Sequence, residues 1–393
     1  MDNNKLQQLI LDKKLVTPSF IFDIDVLCER ITKLQKWLPE NAELCYAIKA
    51  NPFLIRPMDQ FMGKYEVCSP GELEICKKYN VCPEKIVFSG VNKRKDEIEE
   101  AIAYGAGVVT LESMQQFRYV RELVEQNGAH VRVIPRLTSG AQFGMDAEDI
   151  EHILKESLNI QGIDVVGIHF FTGTQKKKVE KILEEAKFLL SFAQDLVKRF
   201  GVQMEILEFG AGLAVPYFEG DDFEGQYDAF RQLADFVEND GKDYHWTLEL
   251  GRYLAASCGY YVTQVVDTKC NQEKNFCLVD GGIHHVNYYG QNMAMRVPKI
   301  LHIKGEKRNS DAQGQEWTVC GSLCTFADIL VRKKDFVDLQ EGDWLVFKNI
   351  GAYAVTEAIY LLLSRKMPAV YLYNKKNELH EVRGRLKTSE INI

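Results

Sequence analysis

Cys45-Tyr46-Ala47-Ile48-Lys49-Ala50-Asn51 sets the reading of everything around it. Residues 44–48 form a short, mostly apolar run of strand character, after which a lysine appears and Pro52 follows Asn51. A strand that stops on Lys-Ala-Asn-Pro puts an amine at its carboxyl end, where α/β folds open onto their ligand crevice. An amine packed among apolar neighbours has a lowered pKa and becomes a nucleophile toward an aldehyde. A lone strand-end lysine is most often only a solvated terminus, so its meaning depends on the rest of the chain.

Outward from residue 44 one pattern repeats: an apolar, β-rich run, a polar or glycine turn, then a helical segment. The runs lie at 44–48, 65–67, 86–88, 108–111, 131–134, 165–168, 206–209 and 246–248, with amphipathic helical spacing between them. Eight such units predict a closed (β/α)8 barrel of the TIM type over 26–257. From 258 to 393 short β-rich runs alternate with turns, which predicts a C-terminal antiparallel β domain. The early run at 20–24 is surplus to the barrel, so 1–25 is expected to pair with that β domain. Segment 304–316 reads as a solvated hairpin loop.

At 393 residues the chain exceeds one ordinary core, and 46% hydrophobic with 26% charged residues is a globular composition. A net charge of −8 argues against nucleic acid as a partner. No apolar run approaches a membrane span, and the amino terminus has no export-signal pattern. Ten scattered cysteines without Cys-x-x-Cys spacing read as reduced thiols in the cytoplasm, with neither a disulfide framework nor a metal site.

A barrel enzyme carries its working residues at the strand ends. Arg136 follows the fifth run, His169 ends the sixth, Gly210-Ala211-Gly212 follows the seventh and Glu249-Leu250-Gly251-Arg252 the eighth. Small residues after strands seven and eight are where barrels commonly bind phosphate, with Arg252 adding charge. A lone Gly-x-Gly means only a tight turn; two such turns at the two expected places mean more. A phosphate anchor, a strand-end lysine and a carboxylate at Glu249 are together what pyridoxal 5′-phosphate requires.

Seven motifs run in a fixed order. They are Tyr46-Ala47-Ile48-Lys49-Ala50-Asn51, Glu66-Val67-Cys68-Ser69-Pro70-Gly71-Glu72-Leu73 and His169 with Thr172-Gly173-Thr174. Then come Gly210-Ala211-Gly212 with Val215-Pro216-Tyr217, Glu249-Leu250-Gly251-Arg252, Gly321-Ser322-Leu323-Cys324 with Asp328, and Gly351-Ala352-Tyr353. In that order they resemble the barrel-type (fold III) pyridoxal-phosphate decarboxylases, among them the diaminopimelate and ornithine decarboxylases. The resemblance implies that Lys49 forms the covalent link to the cofactor and that His169 stacks on its ring. It implies that Gly210, Ala211, Gly212, Gly251 and Arg252, helped by Tyr353, hold the phosphate, and that Glu249 bonds the pyridine nitrogen. Cys324 would deliver a proton to the α-carbon from the partner subunit, which implies a homodimer with composite sites. Arg136 and Thr325 are candidates for contact with substrate.

Departures from the family concern the substrate. Ala211 stands where glycine is usual, which is tolerable if φ there is negative. Thr325 replaces the acidic residue that pairs with a substrate's far ammonium, and an uncharged hydroxyl cannot offset burial of a cation. Asp280-Gly281-Gly282-Ile283-His284-His285 replaces the diaminopimelate pattern, and 138–142 looks abbreviated. These features resemble decarboxylases of secondary metabolism acting on an amino acid joined to a carrier protein or a conjugate. Lys93-Arg94-Lys95 and Lys176-Lys177-Lys178 follow strands three and six and are candidates to steer an anionic partner, although solvated helix starts are the simpler account. An amino-acid racemase on the same cofactor and a non-catalytic binding homologue are the alternative functions.

Overall fold

The structure is a computed structural model that describes residues 3–12, 15–221, 223, 226–291, 293–305, 313–376 and 378–393. It divides into two compact units, one of Arg30–Val215 with Phe223–Leu254, the other of Met1–Glu29, Pro216–Asp222 and Ala255–Ile393. The first strand of the chain, β1 (Ser19–Asp23), belongs to the second unit.

The larger unit is a closed parallel barrel. Its strands are β2 (Ala42–Ala47), β3 (Lys64–Val67), β4 (Ile86–Phe88), β5 (Val108–Leu111), β6 (Val131–Leu137), a short outer β7 (Ile163–Val165), β8 (Gly167–Phe171), β9 (Ile206–Gly210) and β10 (His245–Leu250). The ring runs β2–β3–β4–β5–β6–β8–β9–β10 and closes where Trp246 pairs with Ala42. The run expected at 165–168 is thus two strands, β6 pairing first with β7 and then with β8. Gly167 marks the change: a Cβ there would sit 1.9 Å from the Ile206 carbonyl, so only glycine lets β8 close up on β9.

Apolar strands buried on both faces are what a ring of covering helices demands. The helix Met114–Asn127 shows how the sequence writes one: Ser113 caps its start by accepting from the Gln116 amide, and Gly128 ends it at φ 62°. Its buried face is Phe117, Val120, Leu123 and Val124, each worth about 1.5–3 kcal/mol of burial.

The second unit is one nine-stranded sheet completed by β11 (Gly259–Asn271), β12 (Lys274–Val279), β13 (Ile300–Ile303), β14 (Gly314–Cys320), β15 (Ile329–Val337), β16 (Trp344–Lys348), β17 (Ala369–Tyr373) and β18 (Leu379–Arg383). Its main path is β15–β14–β12–β11–β1–β17–β18, with β16 pairing β11 and β13. It is antiparallel except for two pairs, β1–β17 and β12–β14, which are parallel. The amino-terminal helix Asn3–Leu11 buries Leu6, Leu9 and Ile10 against Ile21, Val262 and Val346 of this sheet. The expected hairpin at 304–316 is not one, because β13 pairs with β16 and β14 with β12 and β15; residues 306–312 lie outside the described part.

Candidate active site

Charged side chains inside buried strands are the starting point, since an isolated buried charge is costly. In the barrel Glu66, Glu112, Arg136, His169 and Glu208 are all under 9% exposed, and the Glu249 side chain is 10% exposed. They converge on Lys49, which ends β2 in a single 3-10 turn, Ile48–Ala50. The Lys49 Nζ donates to Glu66 Oε2 at 2.6 Å and lies 3.7 Å from Glu249 Oε1. The amine therefore sits among carboxylates rather than in the apolar surroundings its flanking residues suggest.

His169 is fully buried, and neither ring nitrogen has a hydrogen-bond partner; Nε2 is 3.3 Å from Glu249 Oε2 but out of line. Burial first, and then the Arg136 charge, push its pKa down to about 3, so the ring stays neutral at physiological pH. Glu208 is likewise fully buried with both oxygens unpartnered. Burial and the nearby Glu249 and Glu66 raise it well above the ordinary carboxyl range. Glu66 is raised by burial and by Glu249, and Lys49 works against both. Arg136, beside His169 across β6 and β8, gives Nη1 to Glu112 Oε1 at 2.8 Å, and the other Glu112 oxygen accepts from the Gly144 amide at 2.9 Å.

At the ends of β9 and β10 the backbone is shaped for close approach. Gly212 has φ 63°, and a Cβ on it would meet the Gly173 carbonyl at 2.0 Å. Ala211 is absent from the positive-φ residues and fully buried, so its methyl fits. Arg252, 8% exposed, opens the short helix Arg252–Ala255 after Gly251.

Cys324, Thr325 and Tyr353 belong to the other unit. Cys324 is exposed in a loop tied at its base by Asp328, whose Oδ2 accepts from the Leu323 amide at 2.6 Å and Oδ1 from the Ile283 amide at 2.8 Å. The Thr325 hydroxyl already accepts from the Ala327 amide at 3.3 Å. Tyr353 has φ 70°, a conformation a side chain rarely adopts and a mark of local strain.

Several members of the basic triplets are spent within the barrel unit. Lys93 is 4% exposed, donates to the Gly90 carbonyl at 2.5 Å, and burial lowers it to about 8. Arg94 pairs with Asp96 and Glu97, Lys95 with Glu122, and Lys176 with Glu185. Sequence reasoning gave no role to Glu66, Glu112 or Glu208, and placed Lys93 on the surface, where it is not found. The signal for the first three is a charge within, or at the end of, an otherwise apolar strand.

The residues fit pyridoxal phosphate. Lys49 offers a partly exposed amine for the aldehyde, Glu249 lies 3.7 Å from it, and both ring nitrogens of His169 lack a partner. His169, Glu208 and Glu249 are also spaced for a cation, their ligand atoms within 4.8 Å of one another. Lys49 and Arg136 already supply positive charge there.

A barrel of this kind, with a strand-end lysine amid carboxylates, defines a pyridoxal-phosphate enzyme. Residues 24–256 match the family model described as "Pyridoxal-dependent decarboxylase, pyridoxal binding domain", and the chain belongs to that family. It is 27% identical to an L-glutamyl-[BtrI acyl-carrier protein] decarboxylase of Niallia circulans, over 99% of this chain and 96% of that one. It is 24% identical to the 2-[(L-alanin-3-ylcarbamoyl)methyl]-2-hydroxybutanedioate decarboxylase of Staphylococcus aureus, over 91% and 95%. The fold matches a diaminopimelate decarboxylase structure from M. jannaschii with a TM-score of 0.85 at 24% identity, over 98% and 93%. Among the described residues no helix is long and apolar enough to cross a membrane.

Proposed function

We propose that the enzyme decarboxylates an amino acid joined to a larger carrier or conjugate, working as a cytoplasmic homodimer with composite sites. Thr325 carries this reading: next to Cys324 stands an uncharged hydroxyl already engaged by the Ala327 amide, and a hydroxyl cannot offset the burial of a free diamino acid's far ammonium. The substrates in the names of the Niallia and Staphylococcus relatives, one carrier-linked and one a conjugate, support it.

In this reading Lys49 holds the cofactor's aldehyde and Glu249 its ring nitrogen. Gly210, Ala211, Gly212, Gly251, Arg252 and Tyr353 hold its phosphate. When bound, the cofactor accepts the electron pair left by the departing carboxylate. Glu66 keeps the Lys49 amine aimed by its 2.6 Å hydrogen bond. His169, uncharged, packs on the ring without competing for the proton. Cys324, exposed, gives its thiol proton to the α-carbon, and the ten free cysteines suit a reducing compartment.

The test is incubation of holoenzyme with free, conjugated and carrier-loaded amino acids, followed by mass spectrometry. Loss of carbon dioxide from a carrier-loaded or conjugated substrate, with free diaminopimelate untouched, is expected. Exchange of the α-proton without carbon dioxide release would mark a racemase instead.

A further inference from the structure

A denser group of basic residues than either barrel triplet lies in the other unit. Residues 365–387 carry seven lysines and arginines against two glutamates, in a chain whose net charge is −8. The fold concentrates this charge. Beyond β17 and β18 the strands keep pairing, the Met367 amide donating to the Leu386 carbonyl at 2.9 Å and the Thr388 hydroxyl to the Arg365 carbonyl at 2.7 Å. Arg365 and Lys366 are thereby set beside Arg385 and Lys387, and all four are exposed. Lys387 has Glu390 at 3.7 Å; among the described residues no carboxylate comes within ion-pair distance of the other three.

The patch and the cysteine loop lie in one unit, and contacts lead from one toward the other: Arg383 sits 5.7 Å over the Tyr360 ring, whose centroid is 6.1 Å from that of His285. The Arg365 charge acts on Asp328, pulling its carboxyl down against the burial that raises it, and on His284, which burial and Arg365 together hold to about 4. Asp328 is the group that fixes Leu323, the residue before Cys324. His284 and its neighbour His285, ring centroids 3.8 Å apart and nearly fully buried, are both held below the usual histidine range by that burial and add no charge of their own.

We propose that Arg365, Lys366, Arg385 and Lys387 form the docking surface for an acidic protein that carries the substrate to the Cys324 side of the site. This rests on the carrier-linked reading above. An acidic protein face is the occupant that charge complementarity selects, since four clustered cations on a net-negative enzyme attract it while the rest of the surface repels it. Steering of this kind acts on association and weakens with salt.

The test compares two probes: an L-glutamyl thioester on a holo acyl-carrier protein and the same thioester on N-acetylcysteamine. The charge-reversed variant Lys366→Glu/Lys387→Glu should lose about tenfold or more in kcat/KM on the carrier-bound probe and nothing on the small one. Wild-type turnover of the carrier-bound probe should fall as ionic strength rises, and the variant's should not. Lys376→Glu, the same kind of charge change in the turn at the other end of the hairpin, should leave both probes unaffected. Equal losses on both probes, or an unaltered rate on the carrier, overturn the docking surface. A change in the variant's oligomeric mass also overturns it, by making the patch a subunit contact. If wild-type enzyme decarboxylates the small thioester but never the carrier-bound one, the carrier reading itself fails.

Discussion

The strand ends of the barrel and the loop that carries Cys324 treat carboxylates in opposite ways. In the barrel Glu66, Glu208 and Glu249 crowd together around one lysine and a neutral histidine, and burial and mutual repulsion drive Glu66 and Glu208 upward. In the β unit a single carboxylate, Asp328, spends both oxygens on backbone amides and leaves none unsatisfied. The first arrangement is poor for stability, because the buried polar atoms of His169 and Glu208 have no partner. The second is a structural clamp that shapes a loop and exposes a thiol. Reactive groups thus sit in the unsatisfied region or at the tip of the clamp, and substitutions should separate the two.

The largest effect belongs to the barrel. Lys49→Ala should abolish turnover and the visible absorbance of bound cofactor, and retention of that band would remove Lys49 from its role. Cys324→Ala should cost about 10²-fold or more in kcat, as loss of a general acid does, while leaving the cofactor band and melting temperature alone. An equal loss of cofactor would show that the loop and the barrel site are not separable in this way.

Asp328→Ala orphans two backbone donors and should cost about 2–4 kcal/mol in urea unfolding, at roughly 1–2 each. A wild-type midpoint would show that the clamp is not one. Glu208→Gln should have the mildest effect and the opposite sign. Because the folded pKa of Glu208 is raised, its contribution to stability is complete below the unfolded carboxyl pKa and is lost as pH rises through the folded value. Cofactor-free Glu208→Gln should match wild type in acid and exceed it in alkali. His169 works in reverse: with its folded pKa depressed to about 3, stability holds above about 6.5 and drains away as pH falls toward 3. A wild-type stability profile flat between pH 4 and 8 would argue against that burial.

Much of this was legible in the chain, but unevenly. The eight runs from residue 44 announce the barrel because strands buried on both faces are nearly pure apolar stretches bounded by turns. Only the sixth is misread, since the crossing at Gly167 is a matter of how closely β8 meets β9. Cofactor candidates could be named because barrels place chemistry at strand ends. The partners of those residues could not: Lys49 and Glu66, or Arg136 and Glu112, are far apart in sequence and meet only when neighbouring strands pair. Lys93-Arg94-Lys95 looked like one patch, yet burial takes Lys93 inward and leaves the other two outside.

By itself the sequence determined the repeating strand–helix units, the surplus strand near 20 and the residue types proposed to hold the cofactor. Alternation and turn chemistry are local, so they can be read without folding. Tertiary structure alone decided which carboxylates share a proton's neighbourhood, which lysines are buried, and that Arg365 and Arg385 stand together. Those are contacts between residues distant along the chain, and charge and desolvation depend on what surrounds a group in space.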